Sequence, residues 1–372
     1  MRERRRICQS DNLGSDAVKV ELVRCHTADG LDLDGAFALP ERPGTALVEA
    51  CLLVPGTGAN FYTRGVLEAV AQAALMDGVA TLRINTRGHD LACYLPGRKP
   101  GVFGGSSFER LDECPHDLTA WLDWLFDRGY RRVALVGHSL GAVKSIYSQV
   151  HAAHPAVLAL LAISPPRLDF DWWQQHPLAG PFRDDYARAS AFAQAGQKES
   201  LLEVSQPFPY VTTAEAYLEK YGPEARYDVL SLLPLLRSPV LLLVGDVSEK
   251  KSPAFSGTLE AIWKNQRDLP RVTAERVPGA DISYRESPEL PWRRFQQWLA
   301  RQPPEIWLTS GSHASIRESS LRESALREAA LRESSQRESS QRESAQREAA
   351  PPPSGARDSA APDSSLRRSA GG

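Results

Sequence analysis

Apolar positions recur along the chain in two rhythms. Short runs rich in Val, Leu and Ile alternate with longer amphipathic stretches from about Ala17 to Gln302, the pattern of a sheet layered by helices. The runs predict strands at Val18 to Cys25, Leu31 to Leu39, Ala50 to Val54, Ala80 to Ile84, Arg132 to Val136, Val157 to Ile163, Val240 to Val244 and Val272 to Val277. Helices are predicted at 64–77, 113–128, 140–152, 254–266 and 290–301. Thr27-Ala28-Asp29-Gly30 joins the first two strands with an Asp-Gly pair suited to a hairpin, so these two are expected to be antiparallel. The unbroken Val240-Leu241-Leu242-Leu243-Val244 reads as a parallel strand covered on both faces. The fold class is therefore α/β, with eight strands, mostly parallel.

One segment interrupts the alternation. Residues 168–227 contain eleven of the chain's 29 aromatic residues, among them Trp172, Trp173, Phe182, Tyr186, Phe208, Tyr210, Tyr217 and Tyr221. Lying between two sheet strands, the segment reads as an insertion that forms a lid over the carboxyl ends of the strands, where ligand sites of such sheets occur. The alternative is that these rings form the small core of the insertion itself.

The rhythm ends near residue 302. Ile316 to Ala350 is built of seven five-residue copies, Ile316-Arg317-Glu318-Ser319-Ser320 through Gln346-Arg347-Glu348-Ala349-Ala350, each with one Arg and one Glu. Glu318 and Arg322 have the favourable i, i+4 helical spacing, but five residues turn roughly 500°, so the Leu positions spiral instead of forming a face. Pro351-Pro352-Pro353 stops any helix. Residues 303–372 are thus expected to be a low-complexity tail, disordered or partly helical, either a repeat expansion without function or a tether for an unidentified protein partner. Residues 1–16 are expected to be disordered, and 17–302 to form one large domain.

Composition narrows the class further. Hydrophobic residues make up 42% and charged residues 24%, values of a soluble globular protein, and the net charge of -2 excludes a dedicated nucleic-acid or acidic-membrane binder. The basic start, Met1 to Arg6, is not followed by the apolar run of a secretory signal, and no stretch approaches the ~18 apolar residues of a membrane span. The five cysteines, Cys8, Cys25, Cys51, Cys93 and Cys114, are scattered without a C-x-x-C pair, which fits a reducing cytoplasm and argues against structural zinc. No phosphate-binding glycine loop or dinucleotide fingerprint is present, so no cofactor is expected.

The chemistry concentrates after the fifth strand. Gly137-His138-Ser139-Leu140-Gly141 follows Arg132 to Val136 and precedes the helical Ala142 to Tyr147, which is G-x-S-x-G in a strand, turn, helix context. Such a turn strains the serine so that its hydroxyl stands above the sheet, and the flanking glycines let strand and helix approach. The helix start would offer the Leu140 N–H and its dipole to an oxyanion.

On these residues the chain resembles the α/β-hydrolase fold family from roughly Val18 to Ala300. Val54-Pro55-Gly56-Thr57-Gly58 is similar to the family's oxyanion loop, which implies Thr57 as a second backbone donor. Asn85-Thr86-Arg87-Gly88-His89-Asp90 resembles the turn after its fourth strand. The resemblance implies a serine hydrolase acting on an ester or other small acyl substrate, with Ser139 as nucleophile. The family's acid follows the seventh strand, often as G-x-x-D; here Gly245-Asp246-Val247-Ser248-Glu249 puts Ser248 at that offset, so Asp246 or Glu249 would substitute, with Asp169 a third alternative. The family's histidine follows the eighth strand, and Val277-Pro278-Gly279-Ala280-Asp281-Ile282 resembles that loop with Ile282 in the histidine position. Of the eight histidines only His313 lies later than residue 246, in the tail; His89 and His116 are the remaining candidates for a base, while His138 would point away from the pocket and His151 and His154 end a helix. A serine without a base is a weak nucleophile. The competing expectation is therefore a degenerate member of the fold that binds a small molecule or has no catalytic role.

Overall fold

The computed structural model describes residues 18–303 except 45, 99, 100 and 207. The expected disorder of 1–16 and the repeat tail, with His313, lie outside the described residues. The sheet strands are β1 (Val20–His26), β2 (Asp32–Ala38), β3 (Ala50–Val54), β4 (Ala80–Ile84), β5 (Val133–His138), β6 (Val157–Ile163), β7 (Val240–Gly245) and β8 (Val272–Val277). Their spatial order is β1-β2-β4-β3-β5-β6-β7-β8. β1 and β2 pair antiparallel, β2 is antiparallel to β4, and β4 through β8 run parallel. The hairpin between β1 and β2 turns at Gly30, whose φ of 96° suits glycine.

Strands β3, β6 and β7 are apolar and buried at every position because both faces are covered. Side chains alternate across the sheet, so in β3 Ala50, Leu52 and Val54 enter one core while Cys51 and Leu53 enter the other. Helices α1 (Val66–Met76) and Leu290–Arg301 cover the second face through Val66, Val70, Trp292 and Phe295. Helices α2 (Cys114–Asp127) and α3 (Leu140–His151) cover the first through Trp121, Leu125, Val143 and Ile146. Among the described residues no helix is long and apolar enough to cross a membrane.

Between β6 and β7 lie the helices Phe170–Gln175, Gly180–Gln194 and Ala214–Tyr221 and a two-stranded ribbon, Leu201–Val204 with Tyr210–Thr213. A second ribbon pairs Cys93–Leu95 with Val102–Gly104 after β4. Most aromatics of the insertion pack on one another: Trp173, Phe182, Tyr217 and Tyr221 are buried, with Phe182 ring centroids 5.1 Å from Trp173 and 5.8 Å from Tyr221. Phe208 is different: it is 42% exposed and reaches a cavity described below. A polar cluster is buried where α3 meets the loops: Lys144, Glu109 and Lys220 are all shielded from solvent. Lys144 pairs with Glu109 and donates to Thr86 Oγ1 at 3.0 Å.

Candidate active site

Strand β5 runs buried up to the turn and stops at Ser139, where the chain adopts φ 53° and ψ -127° before α3 begins at Leu140. A residue with a side chain in this region of backbone space costs of order 1–3 kcal/mol. The turn is held by the Ser139 N–H donating to Ile163 O at 2.8 Å and the Ala142 N–H donating to Ser139 O at 2.9 Å. The two glycines of the motif are sterically enforced. A Cβ on Gly137 would collide with Gly141 O and lie 2.5 Å from the Ala142 Cα, and one on Gly141 would overlap the carbonyl oxygen of Val54.

That last contact brings the loop after β3 against the serine. A Cβ on Gly56 would stand 3.1 Å from Ser139 Cβ, so the loop backbone borders the serine directly, and the next residue, Thr57, lines the same cavity as Ser139. Leu140 opens α3, so its N–H is among the first-turn donors that no helical carbonyl accepts. The cavity holds about 270 Å³ and extends from Ser139 past Phe61 and Phe208 toward β4 and the start of α1.

The loop after β8 approaches from the other side. Ile282 is half-buried against the main core, and its carbonyl oxygen accepts a hydrogen bond from His138 Nε2 at 2.8 Å. Burial lowers the His138 pKa, which favours the neutral ring, and donation to a carbonyl puts the proton on Nε2. His138 borders the cavity as well, and its ring is committed to this loop. Ser283, next to Ile282, also lines the cavity. At the far end of the same loop Asp246 Oδ1 accepts the Gly279 N–H at 2.7 Å, and the Val247 N–H donates to Ala280 O at 3.1 Å. Asp246 opens a short helix, Asp246–Lys251, directly after β7; hydrogen bonds from Lys250 and the Gly279 amide hold its carboxyl below the usual range. Ser248 lies buried within this helix.

The other sequence candidates are engaged elsewhere. Glu249 forms an ion pair with Arg276 at 2.6 Å, and Arg276 also binds Glu260. Asp169 caps the helix Phe170–Gln175 through the Trp172 N–H and pairs with Arg167 at 2.5 Å. Both nitrogens of His89 are used within its own turn, Nδ1 by Asp90 at 2.8 Å and Nε2 by the Cys93 thiol at 3.6 Å. Burial raises the Asp90 pKa, but hydrogen bonds from Asn60 and His89 outweigh it and leave the carboxyl below its ordinary value. His116 is exposed and lies near Asp29 of the first hairpin. His154 binds Asp123 at 3.3 Å and His151 packs on Tyr147. Among the described residues no histidine hydrogen-bonds Ser139 Oγ, and no group of three or more His, Cys, Asp or Glu could hold a metal ion.

Two cavity residues escaped the reading of the sequence. Arg64, in the loop before α1, and Arg83, in β4, both line the cavity. Arg83 had a visible signal: it is the single charge in the apolar strand Ala80–Ile84.

Sequence and fold comparisons agree with the architecture of the domain. Residues 51–320 match the alpha/beta hydrolase family. The chain belongs to the alpha/beta hydrolase family. No curated protein gives a significant sequence match. Among solved structures, Est1E from Butyrivibrio proteoclasticus with bound ferulic acid aligns at TM-score 0.54 and 18% identity, covering 75% of this chain and 99% of that one. DcsB in complex with its substrate analogue aligns at TM-score 0.54 and 14% identity over 78% and 98%. The alpha/beta hydrolase GrgF from Penicillium sp. sh18 aligns at 0.50 and 14% over 78% and 98%. At these identities the likeness is one of fold.

Proposed function

We propose that this protein is a serine hydrolase of the fold that takes an ester or other acyl ligand over Ser139. The observation that carries this reading is the strained Ser139 backbone at φ 53°, fixed between two glycines that tolerate no side chain. A turn of this cost is retained where a serine hydroxyl must be presented to a ligand. In the proposed reaction Ser139 Oγ attacks the acyl carbon, and the Thr57 and Leu140 amides stabilise the oxyanion. The bond to the leaving alcohol then breaks as the serine proton passes to the alkoxide, and water hydrolyses the acyl serine to the free acid. Asp246, two residues before the usual offset held by Ser248, substitutes for the orienting acid and fixes the loop of Ile282; its bond to the Gly279 amide supports this choice over Glu249. Residues 168–227 act as a lid that delivers Phe208 to the cavity. With Ile282 in the position of the base, turnover rests on oxyanion stabilisation and binding, which sustain ~10³–10⁴-fold acceleration over water in hydrolases lacking a triad member.

A second reading, a non-catalytic binding protein, is favoured by one observation: the rings of His89 and His138 are held by Asp90, Cys93 and the Ile282 carbonyl. A fluorophosphonate probe and short-chain p-nitrophenyl esters separate the two. Hydrolysis requires that wild type be labelled and turn over ester, and that Ser139→Ala abolish both. An inert wild type in which Ile282→His gains turnover establishes the binding reading and places the lost base at residue 282.

A further inference from the structure

The wall of the Ser139 cavity carries an unbalanced charge. Its lining includes two arginines, Arg64 and Arg83, and no Asp or Glu. Arg83 is half-buried; one of its nitrogens donates to Thr63 O at 2.7 Å, which holds the side chain against the loop, and Glu68 of α1 lies close enough for its charge to act on it. Glu68 does not line the cavity. Arg64 is exposed at the cavity, and among the described residues it has neither an ion pair nor a hydrogen bond to a side chain or backbone group. The rest of the wall is mixed: Leu53, Phe61, Val66, Leu67, Ile84 and Phe208 give it an apolar part, and Thr57, Asn60, Thr63 and Ser283 add uncharged polar groups.

A strand that is otherwise apolar carries Arg83 at the cost of desolvating its charge. Arg64, without a protein partner among the described residues, adds a second positive charge to the lining, so an anion entering the cavity meets a net positive field and a guanidinium whose fork is suited to a carboxylate. We propose that the ligand of this cavity is an acid with an apolar body: one end lies at Ser139 and the other bears a carboxylate bound by Arg64, with Arg83 contributing field. The proposal rests on the reading of this cavity as the acyl site, and it names the charge class of the ligand that enters.

Equilibrium binding tests it without requiring chemistry. Calorimetric titration of the full-length wild-type chain with adipamic acid, which carries one carboxylate and one unreactive amide, is compared with titration by its neutral diamide, adipamide. A partly exposed arginine-carboxylate pair corresponds to a preference of about fivefold for the acid. The preference should shrink as salt is raised from 20 mM to 500 mM, because the pair is open to screening. Arg64→Ala should remove the preference while leaving adipamide binding unchanged, and Arg64→Lys should restore part of it. The proposal is overturned if adipamide binds as tightly as the acid, if Arg64→Ala weakens both equally, or if neither binds. Labelling of Ser139 by the fluorophosphonate does not depend on ligand charge, so a failure of the anion preference is separate from a failure of the hydrolase reading.

Discussion

Removal of the Glu109 carboxylate should be among the most damaging single changes in this domain. Glu109 and Lys144 are fully shielded, and neither oxygen of Glu109 receives an aligned hydrogen bond among the described residues, so their pairing is a charge contact. Lys220 is buried nearby, with its ammonium donating to Ser106 O at 3.3 Å and its pKa lowered by burial. Glu109 acts on both lysines: it pairs with Lys144, and its field supports the charge of Lys220 more strongly than that of Glu219 does, against the repulsion from Lys144. Glu109→Gln would leave two desolvated ammonium groups with the Thr86 hydroxyl and the Ser106 carbonyl as their partners. Breaking a buried pair from one side costs about 3–5 kcal/mol, a large part of the 5–15 kcal/mol that holds a typical domain together. At ~2–4 °C per kcal/mol for a domain of this size, the midpoint should fall by roughly 10 °C. Lys144→Met combined with Glu109→Leu removes both charges and should cost less than Glu109→Gln alone. Urea unfolding followed by tryptophan fluorescence and circular dichroism measures wild type, Glu109→Gln, the double variant and its two singles, Lys144→Met and Glu109→Leu. A loss under about 1 kcal/mol for Glu109→Gln, or a double variant as damaged as the sum of its singles, would refute the electrostatic account.

Two other outcomes follow from the geometry. Gly141→Ala should destabilise the domain by about 3 kcal/mol, the upper part of the range for overpacking, because its new methyl meets the backbone oxygen of Val54 and not a side chain that could move; chemical denaturation checks this, and a neutral variant would contradict the steric origin of the motif. Glu219 should impose a pH dependence: burial pushes its carboxyl up to about 7, against hydrogen bonding from the Leu111 N–H and the charge of Arg226. The folded state then holds this proton more tightly than the unfolded chain, so the associated stability is full below pH 4.5 and is lost as pH rises through 7. Relative to Glu219→Gln, wild type should lose up to about 3 kcal/mol between pH 4.5 and 8. Parallel urea titrations at four pH values would show a flat difference if Glu219 ionises normally.

The sheet was legible because its middle strands are buried on both sides, so each appears as an apolar run that ends where the chain turns. Ala50–Val54, Ala80–Ile84 and Val157–Ile163 match their predicted bounds, as do the edge strand Val272–Val277, buried only at its two ends, and the helix Leu290–Arg301. The ribbons Cys93–Leu95 with Val102–Gly104 and Leu201–Val204 with Tyr210–Thr213 were not foreseen, because three or four residues are too few to display a period of two. Within the insertion, aromatic content alone could not separate rings that stabilise the segment, such as Trp173 and Tyr217, from Phe208, which faces the cavity. At the site, the serine turn could be read because close backbone approach demands glycine at fixed offsets. The bond between His138 and the Ile282 carbonyl could not, since it joins residues 144 positions apart and uses a backbone atom that every residue type has.

That last feature sets how freely this site can change its chemistry. The strand end before Ser139 is tied to the neighbouring loop through the oxygen of residue 282, and Asp246 grips the same loop through the Gly279 amide. Neither tether reads the side chain at 282. An exchange of histidine for isoleucine in that socket, in either direction, leaves both ties in place, so the scaffold uncouples whether the pocket is assembled from whether it is armed.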